Sequence, residues 1–311
     1  MVQSLKPPAL RPGDSVRILS LASPAEDARL QRGCEELSRL GYVPKLDAAN
    51  VLARDGFFAG STADRLSALK HALSETDTRA IFSARGGYGS NYLLDDLSVA
   101  LATPKIIVGY SDLTSMQIFL WQEFRWITFY GPMVASGLDH GSDTPEGYDG
   151  GSFSRALTQT HYGWSMDLKG ESLSAGTAQG LLLGGCLTLV EATLATPWEL
   201  DTIDAILVLE DRATKPWQVD RALMHLKQAG KFRHIAGIIL GDFPECDAPA
   251  GSESVRDVAR RVLAPLGIPI VWGAPVGHTP RSMLTLPLGV RARLSSGGDT
   301  QLDILEPAVV A

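Results

Sequence analysis

The stretch Lys105-Ile106-Ile107-Val108-Gly109-Tyr110-Ser111-Asp112-Leu113-Thr114 decides how this chain is read. A continuous run of β-branched apolar residues predicts a strand buried on both faces. The run meets Gly-Tyr-Ser-Asp and passes into Leu113, Met116, Leu120 and Phe124 at helical spacing, so the segment is strand, sharp turn, helix. Ser111 falls at the turn. A serine there stands above the sheet, beside unpaired N–H groups and the positive end of a helix dipole. Those features suit a nucleophile whose attack creates an oxyanion. They equally suit a serine that caps the helix, with Asp112 complementing the dipole. The segment is not the G-x-S-x-G elbow, because Leu113 takes the place of its second glycine.

Upstream, residues 15–22 form a β-rich run after Pro12-Gly13-Asp14, and residues 25–40 carry Leu30, Leu37 and Leu40 before Gly41, a helix with a glycine stop. A second strand over 42–46, a helix over 62–73 and a third strand over 79–84 follow. That third strand empties into Arg85-Gly86-Gly87-Tyr88-Gly89-Ser90, with a helix expected over 91–97. The glycine spacing fails both dinucleotide and P-loop signatures, since Tyr92 stands where a third glycine would be and no lysine follows. Glycines in such a loop still let backbone N–H groups approach a ligand closely, as half of an oxyanion hole requires. A strand over 126–130 completes an alternation of strands and helices. The expected fold class is therefore α/β, with an amino-terminal doubly wound, mostly parallel, flavodoxin-like sheet whose ligands bind beyond the carboxyl ends of its strands.

Hydrophobic periodicity lapses after Ser136 and resumes near Gly176. We accordingly expect an α/β domain over residues 1–150, a connection over 151–175, and a carboxy-terminal domain over 176–311. The second half alternates again: strand 178–183, helix 187–195, strand 205–209 ending at Glu210-Asp211-Arg212, helix 216–229, strand 235–240 and helix 255–266. Beyond Val271, strand-like pieces broken by Gly and Pro suggest a barrel-like or meander closure.

Composition narrows the function classes. With 311 residues, 45% hydrophobic and 20% charged, the chain reads as a globular protein with ordinary cores. A formal charge of -7 and the lack of any Lys/Arg run argue against a nucleic-acid partner. No signal-like or membrane-length apolar run occurs, which predicts a cytoplasmic protein without a membrane span. Cys34, Cys186 and Cys246 are scattered and odd in number, and the six histidines show no paired ligand spacing, so neither disulfides nor a metal is expected.

Two further pieces carry chemistry. Glu210 and Asp211 end an apolar strand, where a carboxylate needs a partner if it is buried; the alternative is a solvated strand end. His278 lies in the loop Gly277-His278-Thr279-Pro280 after an apolar run. With Ser111 these make a nucleophile, an orienting carboxylate and a base.

The motifs Ser83-Ala84-Arg85-Gly86-Gly87-Tyr88-Gly89, Val108-Gly109-Tyr110-Ser111-Asp112, Gly184-Gly185-Cys186-Leu187-Thr188, Leu209-Glu210-Asp211, Gly241-Asp242-Phe243 and Pro275-Val276-Gly277-His278 extend across nearly the whole chain. In that order they resemble the LD-carboxypeptidase family of serine peptidases, which includes murein tetrapeptide carboxypeptidases and microcin immunity peptidases. The resemblance implies Ser111 as nucleophile, His278 as general base and Glu210 as its orienting group. It also implies an oxyanion hole from the N–H of Asp112 and of a loop glycine, assigned to Gly87. A smaller barrel-like α/β second domain, a homodimer and catalysis without a cofactor are implied as well.

The implied activity is hydrolysis of the bond between the diamino acid and terminal D-alanine of a muropeptide. A microcin-type amidase acting on peptidyl-nucleotides and a non-catalytic ligand-binding α/β protein are the alternatives. Two positions depart from the family pattern: Cys186 stands where Asn is frequent, and Arg212 where an acidic or small residue follows Glu-Asp. The short interval from Trp198 to Ala205 leaves little room for the long insertion of the microcin immunity peptidases, which favours murein tetrapeptide. An exopeptidase must bind a free carboxylate, and Arg85 and Arg281 are the guanidinium candidates by proximity to the other motifs. For either, the alternative is a structural ion pair or a solvated side chain.

Overall fold

The computed structural model describes residues 4–97 and 103–311. In its first half, strands β1 (Ser15–Leu19), β2 (Val43–Leu46), β3 (Thr78–Ser83), β4 (Ile106–Gly109) and β5 (Thr128–Tyr130) alternate with helices α1 (Asp27–Arg39), α2 (Ala48–Val51), α3 (Thr62–Ser74) and α4 (Leu113–Phe124). The five strands are parallel and lie in the order β2-β1-β3-β4-β5. This is the doubly wound, flavodoxin-like arrangement expected from the alternation. All four residues of β4 are buried, as a strand with helices on both faces requires. The helix expected over 91–97 is instead a single 3₁₀ turn, Ser90–Leu93. Both the N–H and the hydroxyl of Ser90 are bonded to Asp112, and the chain winds tightly about that anchor.

Helix α4 is buried from Leu113 to Trp121, the mark of a helix packed on all sides. Leu113, Met116 and Leu120 join one core, while Ile118 and Trp121 join a second. The helix behind the Ser111 turn is therefore the wall between the two halves.

The interval 151–175 was expected to be a connection but carries regular structure. It holds nearly all of α5 (Gly150–Thr158), together with β6 (Trp164–Asp167) and β7 (Glu171–Ser174). Strands of only four residues, one alternating buried and exposed and the other with no buried residue, carry too little periodic signal to be read alone. There follow β8 (Gly176–Cys186), α6 (Leu187–Ala192), β9 (Ala205–Glu210), α7 (Pro216–Gln228), β10 (Gly237–Leu240), α8 (Val255–Leu263), β11 (Ile270–Trp272), β12 (Leu286–Leu288), β13 (Arg291–Ser296) and β14 (Thr300–Ile304). Eight of these strands, beginning with β6, make a second sheet in the order β6-β14-β13-β8-β9-β10-β11-β7, parallel from β8 to β11 and antiparallel elsewhere. The sheet curls so that Ser296 of β13 donates to Ser172 of β7 at 2.9 Å, although the two strands are not neighbours in the order. That curl is the barrel-like closure.

Strand β12 leaves this sheet altogether. It pairs antiparallel with β5, with Leu286 opposite Tyr130, and so forms the edge of the first sheet. Pro287 is tolerated there because an edge strand has a free side. The loop from β11 to β12 thus crosses from one sheet to the other, and His278 rides on that crossing.

Candidate active site

The turn after β4 is tight and strained. Ser111 has φ +62, left-handed backbone that a residue with a Cβ rarely adopts. The helix starts at Leu113, with Asp112 at the cap position making no side-chain capping bond. Ser111 accordingly does not act as the side-chain cap of the helix. The Asp112 carboxylate turns to the glycine loop instead, accepting the N–H of Gly89 at 3.2 Å and of Ser90 at 2.8 Å, while the Ser90 hydroxyl donates to the Asp112 carbonyl at 2.7 Å. Loop and turn are thereby one rigid piece. A Cβ on Gly86 would come within 3.2 Å of Ser111 Oγ, so the backbone at Gly86 passes directly beside that hydroxyl, while a Cβ on Gly87 (φ +107) would come within 2.2 Å of Ser23 Oγ on the neighbouring loop. No backbone carbonyl among the described residues accepts the N–H of Gly87 or of Asp112. Those two groups are available to a ligand.

The second half supplies a carboxylate–imidazole pair. Glu210, at the end of β9, is wholly buried, and its Oε2 accepts both the backbone N–H of His278 at 2.9 Å and the Nδ1–H at 2.8 Å. With Nδ1 donating, Nε2 is the acceptor. Two glycines make this contact possible: a Cβ at Gly241 would lie 2.5 Å from Glu210 Cβ, and one at Gly277 2.4 Å from Cδ. Asp211 turns the other way and accepts the N–H and hydroxyl of Thr188 at 3.0 and 2.6 Å, holding the first turn of α6. Burial pushes the His278 pKa down, but the Glu210 charge and hydrogen bond outweigh it and raise the imidazole above its ordinary value.

The two pieces meet through tyrosines. The Tyr110 ring packs edge-on against His278, with centroids 5.1 Å apart, so the residue before Ser111 touches the histidine directly. Tyr130 Oη donates to Glu210 Oε1 at 2.5 Å and receives the Ser111 N–H at 3.4 Å. Ser111, Asp112, Glu210 and His278 are thus gathered at the carboxyl ends of β4 and β9, and Gly87 lies in the loop that follows β3. Sequence reading missed both tyrosines. The available signal was position, since Tyr110 precedes the turn and Tyr130 closes a strand at the ligand-binding edge.

The two arginines fare differently. Arg281 is bound to Asp242 through Nε at 3.1 Å and Nη2 at 2.5 Å, to the Lys169 carbonyl through Nη1 at 2.9 Å, and to the Gly273 carbonyl. Every nitrogen of its fork is in use, the pattern of a structural ion pair rather than a free clamp. Arg85 is exposed beside Gly86, with one bond to the Pro24 carbonyl at 3.3 Å. Its fork is largely open.

A groove of about 740 Å³, lined by Leu5, Pro104, Trp121, Ile203 and Arg291, lies at the amino ends of β4 and β9. That is the wrong end of the strands for this chemistry. Among the described residues no cluster of three His, Cys, Asp or Glu side chains could hold a metal ion, and no helix is long and apolar enough to cross a membrane.

Comparison with known proteins agrees with the motif order. Residues 16–131 match the model for the LD-carboxypeptidase N-terminal domain, and residues 179–294 the model for the LD-carboxypeptidase C-terminal domain. The chain is 33% identical over 301 residues to a probable murein peptide carboxypeptidase of Bacillus subtilis, covering 95% of this chain and 93% of that protein. Among solved structures it superposes on the microcin C7 self immunity protein MccF in complex with aspartyl sulfamoyl adenosine, with a TM-score of 0.89, 26% identity and coverage of 98% and 99%. It also superposes on muramoyltetrapeptide carboxypeptidase from Oxalobacter formigenes, with a TM-score of 0.82, 28% identity and coverage of 94% and 99%. Two family domains, matched in order with the glycine loop and serine turn in the first and the carboxylate strand and histidine loop in the second, mean that this chain belongs to the LD-carboxypeptidase family.

Proposed function

We propose that this carboxypeptidase is a serine-type hydrolase that cleaves the bond between the diamino acid and the terminal D-alanine of murein tetrapeptides, in peptidoglycan recycling. The observation that carries the reading is the buried Glu210–His278 pair lying against Tyr110, beside the strained Ser111. On this reading His278 Nε2 takes the Ser111 proton as Oγ attacks the scissile carbonyl. The oxyanion is held by the N–H groups of Asp112 and Gly87. Protonated His278 then gives its proton to the departing amine of D-alanine, leaving an acyl-enzyme. Water, deprotonated by the same nitrogen, attacks the ester, and Ser111 recovers its proton as the peptide acid leaves. The chain works as a cytoplasmic homodimer on this reading.

Recognition of the terminal carboxylate falls to Arg85, since the fork of Arg281 is already engaged. Amidating the terminal D-alanine should lower kcat/KM at least about tenfold, the worth of a charge-assisted contact. Arg85→Ala should abolish most of that discrimination, and equal cleavage of acid and amide would remove the clamp.

The superposition on a structure bound to aspartyl sulfamoyl adenosine favours a second reading, an amidase that removes an aminoacyl group from a nucleotide conjugate. One experiment separates the two. Purified protein is incubated with murein tetrapeptide and, in parallel, with an aminoacyl sulfamoyl nucleoside, and products are followed by mass spectrometry. Free D-alanine from the wild type and none from Ser111→Ala supports the first reading. Nucleoside release alone supports the second.

A further inference from the structure

Tyr130 is the last residue of β5 and is wholly buried. Its hydroxyl meets both halves of the molecule, donating to Glu210 Oε1 at 2.5 Å and accepting the Ser111 N–H at 3.4 Å. The ring is enclosed from the second half, where a Cβ on Gly185 would come 3.1 Å from Cε2. Next to it, Thr114 Oγ1 accepts the Cys186 N–H at 3.0 Å, a second tie across the same seam. Glu210 meanwhile gives its other oxygen, Oε2, to His278 alone.

A carboxylate held at one oxygen remains free to turn, because its terminal torsion is soft. The glycines at 241 and 277 bring backbone, not side-chain walls, against Glu210. The bond to Oε1 is what sets the plane of the carboxylate, and with it the direction of the imidazole. We propose that Tyr130 is a positioning residue of the Ser111–His278–Glu210 site, fixing the Glu210 carboxylate and its register against the serine turn through a single hydroxyl. This rests on the reading of those three residues given above. Burial first, and the neighbouring Glu210 charge second, hold the Tyr130 pKa well above the ordinary phenol value. The phenol therefore stays neutral and remains a donor to the carboxylate throughout the working pH range.

Tyr130→Phe removes one oxygen and keeps the ring. The bond it deletes stabilises the Glu210 carboxylate more when His278 is neutral than when an imidazolium already compensates it, so its loss raises the proton affinity of His278. In Tyr130→Phe the acid limb of the pH profile should move to higher pH, and kcat should fall about tenfold with KM little changed. A residue that only fills space would alter the melting temperature and leave both readouts where they were. Wild-type kcat with an unmoved limb overturns the proposal.

The same comparison is made with a small fluorophosphonate, following against pH the rate at which Ser111 Oγ is phosphonylated and fluoride released. That reaction needs the nucleophile and base but no muropeptide. Slower phosphonylation with a shifted limb in Tyr130→Phe supports the positioning role even if no D-alanine is released. Unchanged phosphonylation removes it while leaving the hydrolase reading intact, and an inert wild-type Ser111 removes both. Should Tyr130→Phe not fold, 3-fluorotyrosine placed at position 130 keeps the hydroxyl and makes it a stronger acid. Its acid limb must then move the opposite way, to lower pH, and an unmoved limb refutes the role.

Discussion

A left-handed serine costs about 1–3 kcal/mol of backbone strain and persists only where its surroundings over-determine it. Here the Thr114 N–H donates to the Ser111 carbonyl at 2.9 Å, the Tyr130 hydroxyl holds the Ser111 N–H, and the Gly86 backbone packs closely against the Ser111 side chain. Ser111→Ala and His278→Ala should each remove most turnover, and the double variant should be little worse, because the two act as a unit. On the proposed mechanism, residual catalysis over water of roughly 10³ to 10⁴ should remain from oxyanion stabilisation and binding. Steady-state kcat of the three variants tests this, and near wild-type turnover in Ser111→Ala rejects the nucleophile.

The pH profile follows from His278. Its folded pKa is raised, so kcat/KM should decline toward acid with an apparent pKa above the ordinary value of about 6.5. The stability contributed by the Glu210–His278 attraction is complete below the unfolded pKa and is lost as pH rises through the folded one. Glu210→Gln removes the charge and leaves burial to act, so the acid limb should move to lower pH while kcat falls. A limb that stays in place would show that Glu210 does not govern the imidazole.

At the scale of elements, the glycine-rich loop over residues 85–90 has no secondary structure of its own to hold it beyond one 3₁₀ turn. It is fixed to the amino end of α4 by the two oxygens of Asp112. Asp112→Asn leaves one oxygen where two N–H groups need acceptors, and it sets an amide donor against one of them. We expect the Gly89 and Ser90 amides to exchange faster with solvent and kcat to drop at least about tenfold, while KM changes less. Unaltered exchange at those amides would mean that the loop holds its shape without the carboxylate. The 3₁₀ turn was not legible as such, since residues 91–97 offer apolar spacing enough for a helix. What limits it is an anchor on a residue more than twenty positions away, which no local pattern encodes.

At the scale of the molecule, the site exists because the chain crosses its own boundary. Glu210 belongs to the second sheet, Ser111 follows a strand of the first, and the loop bearing His278 runs between the two sheets to deliver β12 beside β5. A fragment ending near Gly151 therefore lacks the pair and also leaves β5 as an unpaired edge, an invitation to association. It should hydrolyse neither muropeptide nor aminoacyl nucleoside, and light scattering should show it self-associating. Turnover by that fragment would remove Glu210 and His278 from the chemistry.

Local pattern determined a great deal of this protein. The β-branched run before Gly109, the leucine spacing of α1 and α3 and the strand–helix alternation specify a parallel doubly wound sheet, because burial on two faces and one-sided helix packing leave direct marks on residue order. The ordered motifs pointed to the family and to the three residues that the fold then gathers. Sheet membership was decided only in three dimensions. Leu286-Pro287-Leu288 reads as one more piece of a closing barrel, yet it joins the other sheet, since a strand's sequence states how it is buried but not which strand it pairs with. For the same reason Tyr110 reads only as part of the turn and Tyr130 only as the end of a strand. Their hydroxyl and ring acquire a role only when docking of the second half brings His278 and Glu210 against them, and the open or engaged state of Arg85 and Arg281 likewise depends on partners far away in the chain.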